Sequence, residues 1–146
     1  MNLFGMLEIS GSALTAERQR AEVVVSNMAN AETTHTAEGG PYRRQVVVFH
    51  AQHPTQFPAL LAGFSPSNSA ARGVRVEQVI ADATPPMLRY QPGHPDADAK
   101  GYVAYPAIDP TAEMADLLGA VRAYGLNESA VQAAKAMIQQ SLDILR

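Results

Sequence analysis

Residues 26–33 read SNMANAET, and this stretch decides how the chain is divided. Two asparagines, Asn27 and Asn30, stand here at the end of a long run of helix-favouring residues. Asparagine is a weak helix former because its side-chain amide competes for nearby backbone groups. The stretch therefore predicts the C-terminus of a helix that leads into a turn.

A row of mostly apolar positions runs upstream of this stretch, with a spacing of three and four residues. It consists of Leu3, Leu7, Ser10, Leu14, Glu17, Ala21, Val24 and Met28. A second row of this kind lies near the other end of the chain: Met114, Leu117, Val121, Tyr124, Glu128, Val131, Lys135, Ile138, Leu142 and Leu145. Such a spacing, kept over many turns, is typical of the seam of a coiled coil. The pattern leaves open two ordinary amphipathic helices packed on a core.

All ten prolines lie between Pro41 and Pro110. Because proline breaks helix interiors, both ends can be long helices whereas the middle cannot. We therefore predict an α+β fold, with long N- and C-terminal α-helices that form a coiled-coil-like domain and a small β-rich insert between them. Asp109 can cap the second helix, and Pro110 suits its first position. The predicted segments are the helices at 1–33 and 109–146 and the insert at 34–108.

Strand signals fill most of the insert. The segment YRRQVVVFHA (42–51) is a β-branched run, and GVRVEQVIAD (73–82) alternates valines with charged residues. Two shorter strands are predicted at MLRY (87–90) and GYVAYP (101–106). Between the first two strands, 52–72 is rich in Pro, Ser and Ala, and we expect a surface loop there.

Composition excludes several classes of protein. The chain of 146 residues has a net charge of −3, and its charges are scattered without a basic stripe, so we expect no nucleic-acid partner. No apolar run is long enough for membrane insertion. The absence of cysteine excludes disulfides, zinc–thiolate sites and a cysteine nucleophile. No Lys or Arg precedes Arg18, so we expect no cleaved signal peptide.

No catalytic, cofactor-binding or metal-binding residues are predicted. In HPDADAKG (94–101), Asp96, Asp98 and Gly101 fit a calcium loop, but Lys100 stands where an oxygen ligand is needed. The histidines lack the spacing of zinc hydrolases, and no GxSxG motif or acid/base pair of carboxylates is visible. We therefore do not expect an enzyme.

Several separated motifs carry a resemblance to a known family. SNMANAET is similar to the SNxANxxT signature of flagellar rod and hook proteins, and Tyr124 and Asn127 match the family's Tyr-x-x-Asn segment. Ala107 stands where the family usually has Asn. The chain thus resembles the proximal rod proteins of the bacterial flagellar basal body, within the flagellar axial proteins. The other supporting motifs are GSAL (11–14), PYRRQVVVF (41–49), PGHPDADAKGYV (92–103) and PAIDPTAEM (106–114).

The resemblance implies a structural subunit of the rod that is exported by the flagellar type III apparatus. Implied partners are other rod proteins, copies of the chain itself, and ring and export-gate components of the basal body. Another axial subunit, of the distal rod or hook type, and a β ligand-binding module dimerised by its helices remain alternatives. The expected interface residues are Leu3, Leu7, Leu14, Val24, Asn27, Met28, Asn30, Leu117, Val121, Tyr124, Asn127, Val131, Ile138, Leu142 and Leu145.

The resemblance also places Asn27 and Asn30 where the terminal helix meets the linker, at subunit contacts. An amide both donates and accepts hydrogen bonds. One of the two can therefore cap orphan helix carbonyls while the other bonds a neighbouring backbone.

Overall fold

A computed structural model describes residues 3–52 and 73–144 of the chain. It has two long helices with a small β-rich region between them, which confirms the predicted α+β fold. None of the helices in these residues combines the length and hydropathy of a membrane span. The expected loop at 52–72, apart from its first residue, and Leu145 lie outside the described residues. The elements are α1 (Leu3–Ala29), β1 (Gln45–Ala51), β2 (Val74–Ala81), β3 (Met87–Tyr90), β4 (Tyr102–Tyr105) and α2 (Pro110–Ile144).

The start of α2 follows the predicted capping signals. Pro110 is the first helical residue. A backbone N–H at this position has no partner within the helix, so the N–H that proline lacks is not needed there. The carboxylate of Asp109 accepts a hydrogen bond from the N–H of Thr111 at 2.9 Å, and its carbonyl accepts the N–H of Glu113 at 3.0 Å. Asp109 therefore satisfies one of the N–H groups that a helix start leaves open.

The chain divides into two compact units. The first comprises Met1–Gln19, Phe49–Glu77 and Ala120–Arg146, as far as these are described, and the second comprises Arg20–Val48 and Gln78–Gly119. Each unit contains a part of both helices. Small residues form the buried positions of the helices in the first unit: Gly5, Ser10, Ala16, Ala120 and Ala134.

In the first unit, the start of β2 lies directly against α1. The N–H of Val74 donates to the hydroxyl of Ser12 at 3.0 Å, and this hydroxyl donates to the carbonyl of Ile9 at 2.7 Å. A Cβ on Gly73 would lie 2.6 Å from the Ser12 Oγ, so any other residue at this position would have to displace the hydroxyl. Gly73 thus permits a close approach between a strand and a helix.

In the second unit, β3 and β4 form an antiparallel hairpin in which Met87 pairs with Tyr105 and Tyr90 with Tyr102. Asp98 shapes its loop by accepting the N–H groups of Lys100 and Tyr102, both at 2.8 Å. Residues 94–101 therefore lie in the connection of this hairpin. The fully or nearly buried residues of this unit are Val24, Asn27, Val103, Tyr105, Pro106, Ile108 and Glu113.

We predict that Gly73→Ala destabilises the chain by about 1–3 kcal/mol, because the added methyl group displaces the Ser12 hydroxyl and breaks its bond to Val74. Urea denaturation measures the change. Gly93→Ala is the matched control, since a Cβ there has nothing within 4 Å. Equal stability of the two variants would contradict the close approach of β2 to α1.

Candidate functional site: a buried polar junction

Asn30 ends α1 through local hydrogen bonds. Its Nδ2 donates to the carbonyl of Ser26 at 2.9 Å, and its Oδ1 accepts the hydroxyl of Thr33 at 3.2 Å. The Ser26 carbonyl lies in the last turn of α1 and also accepts the backbone N–H of Asn30 at 3.1 Å. Asn30 therefore caps the helix end, and its own carbonyl receives the N–H of Thr33 as the chain turns away.

Asn27 makes long-range bonds instead, although only 1% of it is exposed. Its Nδ2 donates to the carbonyl of Gln45 at 2.8 Å and to the Oε2 of Glu113 at 3.0 Å. Its Oδ1 accepts the backbone N–H of Gln45 at 2.9 Å and the hydroxyl of Tyr42 at 3.2 Å. One amide thus joins the end of α1, the first residue of β1 and the first turn of α2. Of the two roles expected for these asparagines, the bond to a neighbouring backbone is the one that Asn27 makes.

Glu113 is a carboxylate at the centre of these contacts, and it too is only 1% exposed. Its Oε1 accepts the Nε–H of Arg44 at 2.6 Å, while its Oε2 accepts the amide of Asn27. A buried charge is tolerated only when it is paired and hydrogen-bonded, and removal of one partner is strongly destabilising. The carboxylate therefore requires the linker residue Arg44 and the helix residue Asn27 together.

A second layer of ion pairs lies beside Glu113. Asp116 receives Arg20 from α1 at 3.0 Å and lies 3.7 Å from the guanidinium of Arg44. Because residues 20 and 27 of α1 contact residues 116 and 113 of α2, the numbering rises along one helix as it falls along the other. The two helices are therefore antiparallel in this unit. We call the set Asn27, Tyr42, Arg44, Gln45, Glu113 and Asp116 the junction.

Asp82 ties the end of β2 to the same arginine. Its N–H donates to the carbonyl of Arg44 at 2.7 Å, and its carboxylate lies 4.0 Å from the guanidinium. The hydroxyl of Thr84 donates to this carboxylate at 2.8 Å and its N–H at 3.0 Å, and these bonds lower the pKa of Asp82 below its usual value. Arg44 thus contacts both α2 and the residue that follows β2.

The positions predicted on α1 are half-buried or buried. Val24 and Asn27 are buried, whereas the remaining ones are half-buried: Leu3, Leu7, Leu14, Met28 and Asn30. Asn127 on α2 does not reach the junction; it donates to the carbonyl of Ala123 in its own helix at 2.9 Å.

On α2, the predicted row divides into two sets. Leu117, Asn127, Val131 and Ile138 are half-buried, but Val121, Tyr124 and Leu142 are 57%, 41% and 61% exposed. The positions of α2 that are buried inside the chain include a row of small or polar residues, spaced seven apart. Each of them lies one position before a residue of the predicted row. We call this the inner row of α2: Glu113, Ala120, Asn127 and Ala134. The predicted residues Met114, Val121, Glu128, Lys135 and Leu142 lie on a neighbouring, exposed strip.

Sequence reasoning missed Tyr42 and Gln45 as partners of Asn27. It also missed the ion pair of Arg44 with Glu113. Glu113 and Arg44 are 69 residues apart in the chain, so no local pattern links them. The sequence does contain one signal for Glu113. It lies seven positions before Ala120, and this spacing places the acidic side chain on the same side of the helix as small side chains.

The junction is a site that stabilises the fold of this unit. Its polar groups bond one another and the backbone, and they connect two helices to a strand. The described residues contain no group of three or more His, Asp or Glu side chains arranged to hold a metal ion. The arrangement can fix the rotation of α2 relative to α1 within this unit.

Comparison with known proteins gives matches at both ends of the chain. The model described as "Flagella basal body rod protein" matches residues 7–34, and the one described as "Flagellar basal body rod FlgEFG protein C-terminal" matches residues 99–144. These segments contain Asn27 and Glu113. The fold, the junction and the matches define a structural protein of the flagellar rod built on paired terminal helices.

Relatives that align with the whole chain identify its family more closely. The flagellar basal-body rod protein FlgC of Borreliella burgdorferi is 37% identical over 100% of this chain and 99% of its own. Those of Bacillus subtilis and Yersinia enterocolitica are each 40% identical over 99% of this chain and 99% and 98% of their own. This chain belongs to the FlgC family of flagellar basal-body rod proteins, which are structural subunits of the rod.

We predict that Asn27→Leu destabilises the chain by about 3–5 kcal/mol, because Glu113 and the Gln45 peptide group lose their partners while buried. Asn30→Leu is the control within the same motif, and its loss of local bonds is expected to cost about 1–2 kcal/mol. Thermal or urea denaturation of both variants measures the difference. If Asn30→Leu is the more damaging change, the assignment of the long-range role to Asn27 is wrong.

Proposed function

We propose that this chain is a subunit of the proximal rod, which packs against copies of itself and other rod proteins through exposed faces of its terminal helices. Its role is assembly rather than catalysis. The observation that supports this proposal is the set of apolar side chains left exposed on α2. Met114, Leu118, Val121 and Leu142 are each more than half exposed, and apolar residues at helical spacing on a surface mark a site of association.

The junction gives this surface its orientation. Because Glu113 is held by Asn27 and Arg44, α2 cannot rotate about its axis at this end without leaving a buried charge unpaired. The next residue, Met114, points about 100° from Glu113 around the helix axis and is 53% exposed. A fixed rotation presents the same strip to every neighbour, which a regular filament requires.

The two asparagines have different parts in this proposal. The amide of Asn27 is used within its own chain, so it supports assembly by orienting the helices. Asn30 is half-buried at the end of α1, where it caps the helix. It is the better placed of the two for a direct contact with a neighbouring subunit.

We also propose that the chain reaches the periplasmic part of the rod through the flagellar export apparatus, without a cleaved signal peptide. Ring and export-gate components of the basal body are the further partners implied by this route. The absence of cysteine supports it, because no thiol can be trapped by periplasmic oxidation.

We predict that Leu142→Asp abolishes rod assembly, because it places an unpaired charge in an apolar contact between subunits. The measurement is the number of intact basal bodies in cells that produce each variant. Gln140→Asp, an exposed position on another side of the same helix, serves as the control and assembles normally. Equal assembly by the two variants would refute a role for this strip of α2.

Neither change is expected to alter the stability of the isolated chain by more than about 0.5 kcal/mol, because both side chains are already exposed. Unfolding of the purified variants therefore separates a loss of assembly from a loss of folding.

A further inference from the structure

The strand β3 leaves one of its edges without a neighbouring strand. The N–H of Gln91 donates to the carbonyl of Gly101 at 2.8 Å, so these two residues form a hydrogen-bonded pair. Bonded and non-bonded pairs alternate along an antiparallel ladder. In the register of this hairpin, Leu88 and Tyr90 therefore point their N–H and C=O groups away from β4. Within the described part of the chain, no strand pairs with β3 on that side.

The side chains at this free edge are apolar on the exposed face of the hairpin. Leu88 and Tyr90 are 67% and 65% exposed, and the Tyr90 ring lies edge-on to that of Tyr102 with their centroids 5.4 Å apart. The opposite face is covered, since Val103 and Tyr105 are buried. An apolar edge with unpaired backbone groups is a template for an added strand.

Prolines limit the length of the free edge. Pro86 comes directly before β3, and Pro92 follows two residues after its end. Because proline has no N–H to donate, the ladder of an added strand ends at these positions. The free edge therefore accepts a short extended segment, whose central residues lie opposite 88–90.

Arg89 is the charged residue in the middle of this edge. Its guanidinium lies 4.7 Å from the centre of the Tyr105 ring. The ion pairs found among the described residues do not include it. An acidic residue opposite Arg89 on an added strand is therefore favoured, whereas a basic residue there is disfavoured.

A second copy of β3 does not meet these requirements. In an antiparallel pair of two such strands, the prolines leave only the register that places Leu88 opposite Tyr90. This register places the two copies of Arg89 opposite each other, and so does a parallel pair in register. Like charges directly opposite each other are destabilising.

The other described strands are no better as partners. Glu77 is their single carboxylate; it is followed by the polar Gln78, and its Oε2 lies 3.7 Å from the Nδ1 of His50. The strand that contains it, β2, begins against α1 through the bond of Val74 to Ser12. A different protein is therefore the better source of an acidic strand.

We propose that β3 binds an extended segment of a different protein, which adds as a third strand with an acidic residue opposite Arg89 and an apolar residue on either side of it. The apolar residues pack on Leu88 and Tyr90, and their backbone groups bond those of the same two residues. The inference rests on the proposed function, in which such a segment belongs to a neighbouring subunit of another kind.

The experiment measures binding of a capped peptide, Ser-Thr-Val-Glu-Val-Thr-Ser, to the purified chain by NMR. The peptide carries the proposed pattern, and its matched control has Lys in place of Glu. A third peptide has the Glu sequence with both valines N-methylated, which removes N–H groups that an added strand donates. Exchange of the Leu88 and Tyr90 amide protons with solvent reports on pairing at the free edge.

We expect the Glu peptide to slow this exchange and to bind roughly tenfold more tightly than the Lys peptide, because opposite charges attract across strands. The N-methylated peptide does not bind. In Arg89→Glu the preference reverses, so that the Lys peptide binds more tightly. Arg75→Glu is the matched control variant, since Arg75 is an exposed arginine on another strand, and it leaves the preference unchanged.

The inference would be overturned by unchanged exchange with the Glu peptide at millimolar concentration, by equal affinities for the Glu and Lys peptides, or by binding of the N-methylated peptide. Protection of Leu88 and Tyr90 that rises with the concentration of the chain alone would identify a second copy as the partner and would overturn it as well. The proposed function is tested separately, because absence of the unsubstituted chain from isolated basal bodies would overturn it whatever the peptides do.

Discussion

The hydrogen bonds of the buried Asn27 amide to the Gln45 peptide group and the Glu113 carboxylate are the constraint on which the other features depend. Each of these groups would be costly to bury alone, and Glu113 most of all because it carries a charge. Arg44 completes the pairing from the linker. The end of α1, the start of β1 and the start of α2 therefore have to come together as a set.

This constraint determines which side chains α2 buries and which it leaves exposed. With Glu113 held inward, positions seven apart along the helix also face inward, and these include Ala120 and Ala134, the two most buried apolar residues of α2. Their small size allows a close neighbour on that side. The larger apolar residues, such as Val121 and Leu142, are left on the adjacent strip, where they are available to other subunits.

The sequence was sufficient to predict the fold, because its signals are local. Each of these signals can be read without knowing the contacts between distant residues. They are the confinement of proline to the middle, the 3/4 spacing at both ends, the Asp109–Pro110 helix start and the β-branched runs. The inner row of α2 could not be predicted in this way. A periodic pattern is recognised from large apolar side chains, whereas this row consists of Ala, Asn and Glu. The partners of Asn27 could not be predicted either, because Glu113 lies 86 residues away in the chain. Such a pair becomes visible only in three dimensions.

Native-state hydrogen exchange at the N–H of Gln45 tests the central claim most directly, because this group donates to the Asn27 side chain. If the junction is one cooperative unit, this amide opens with the same free energy as the amide of Leu117 in the third turn of α2. Exchange of Gln45 at the rate of an exposed linker amide such as Glu38, while Leu117 stays protected, would contradict the account.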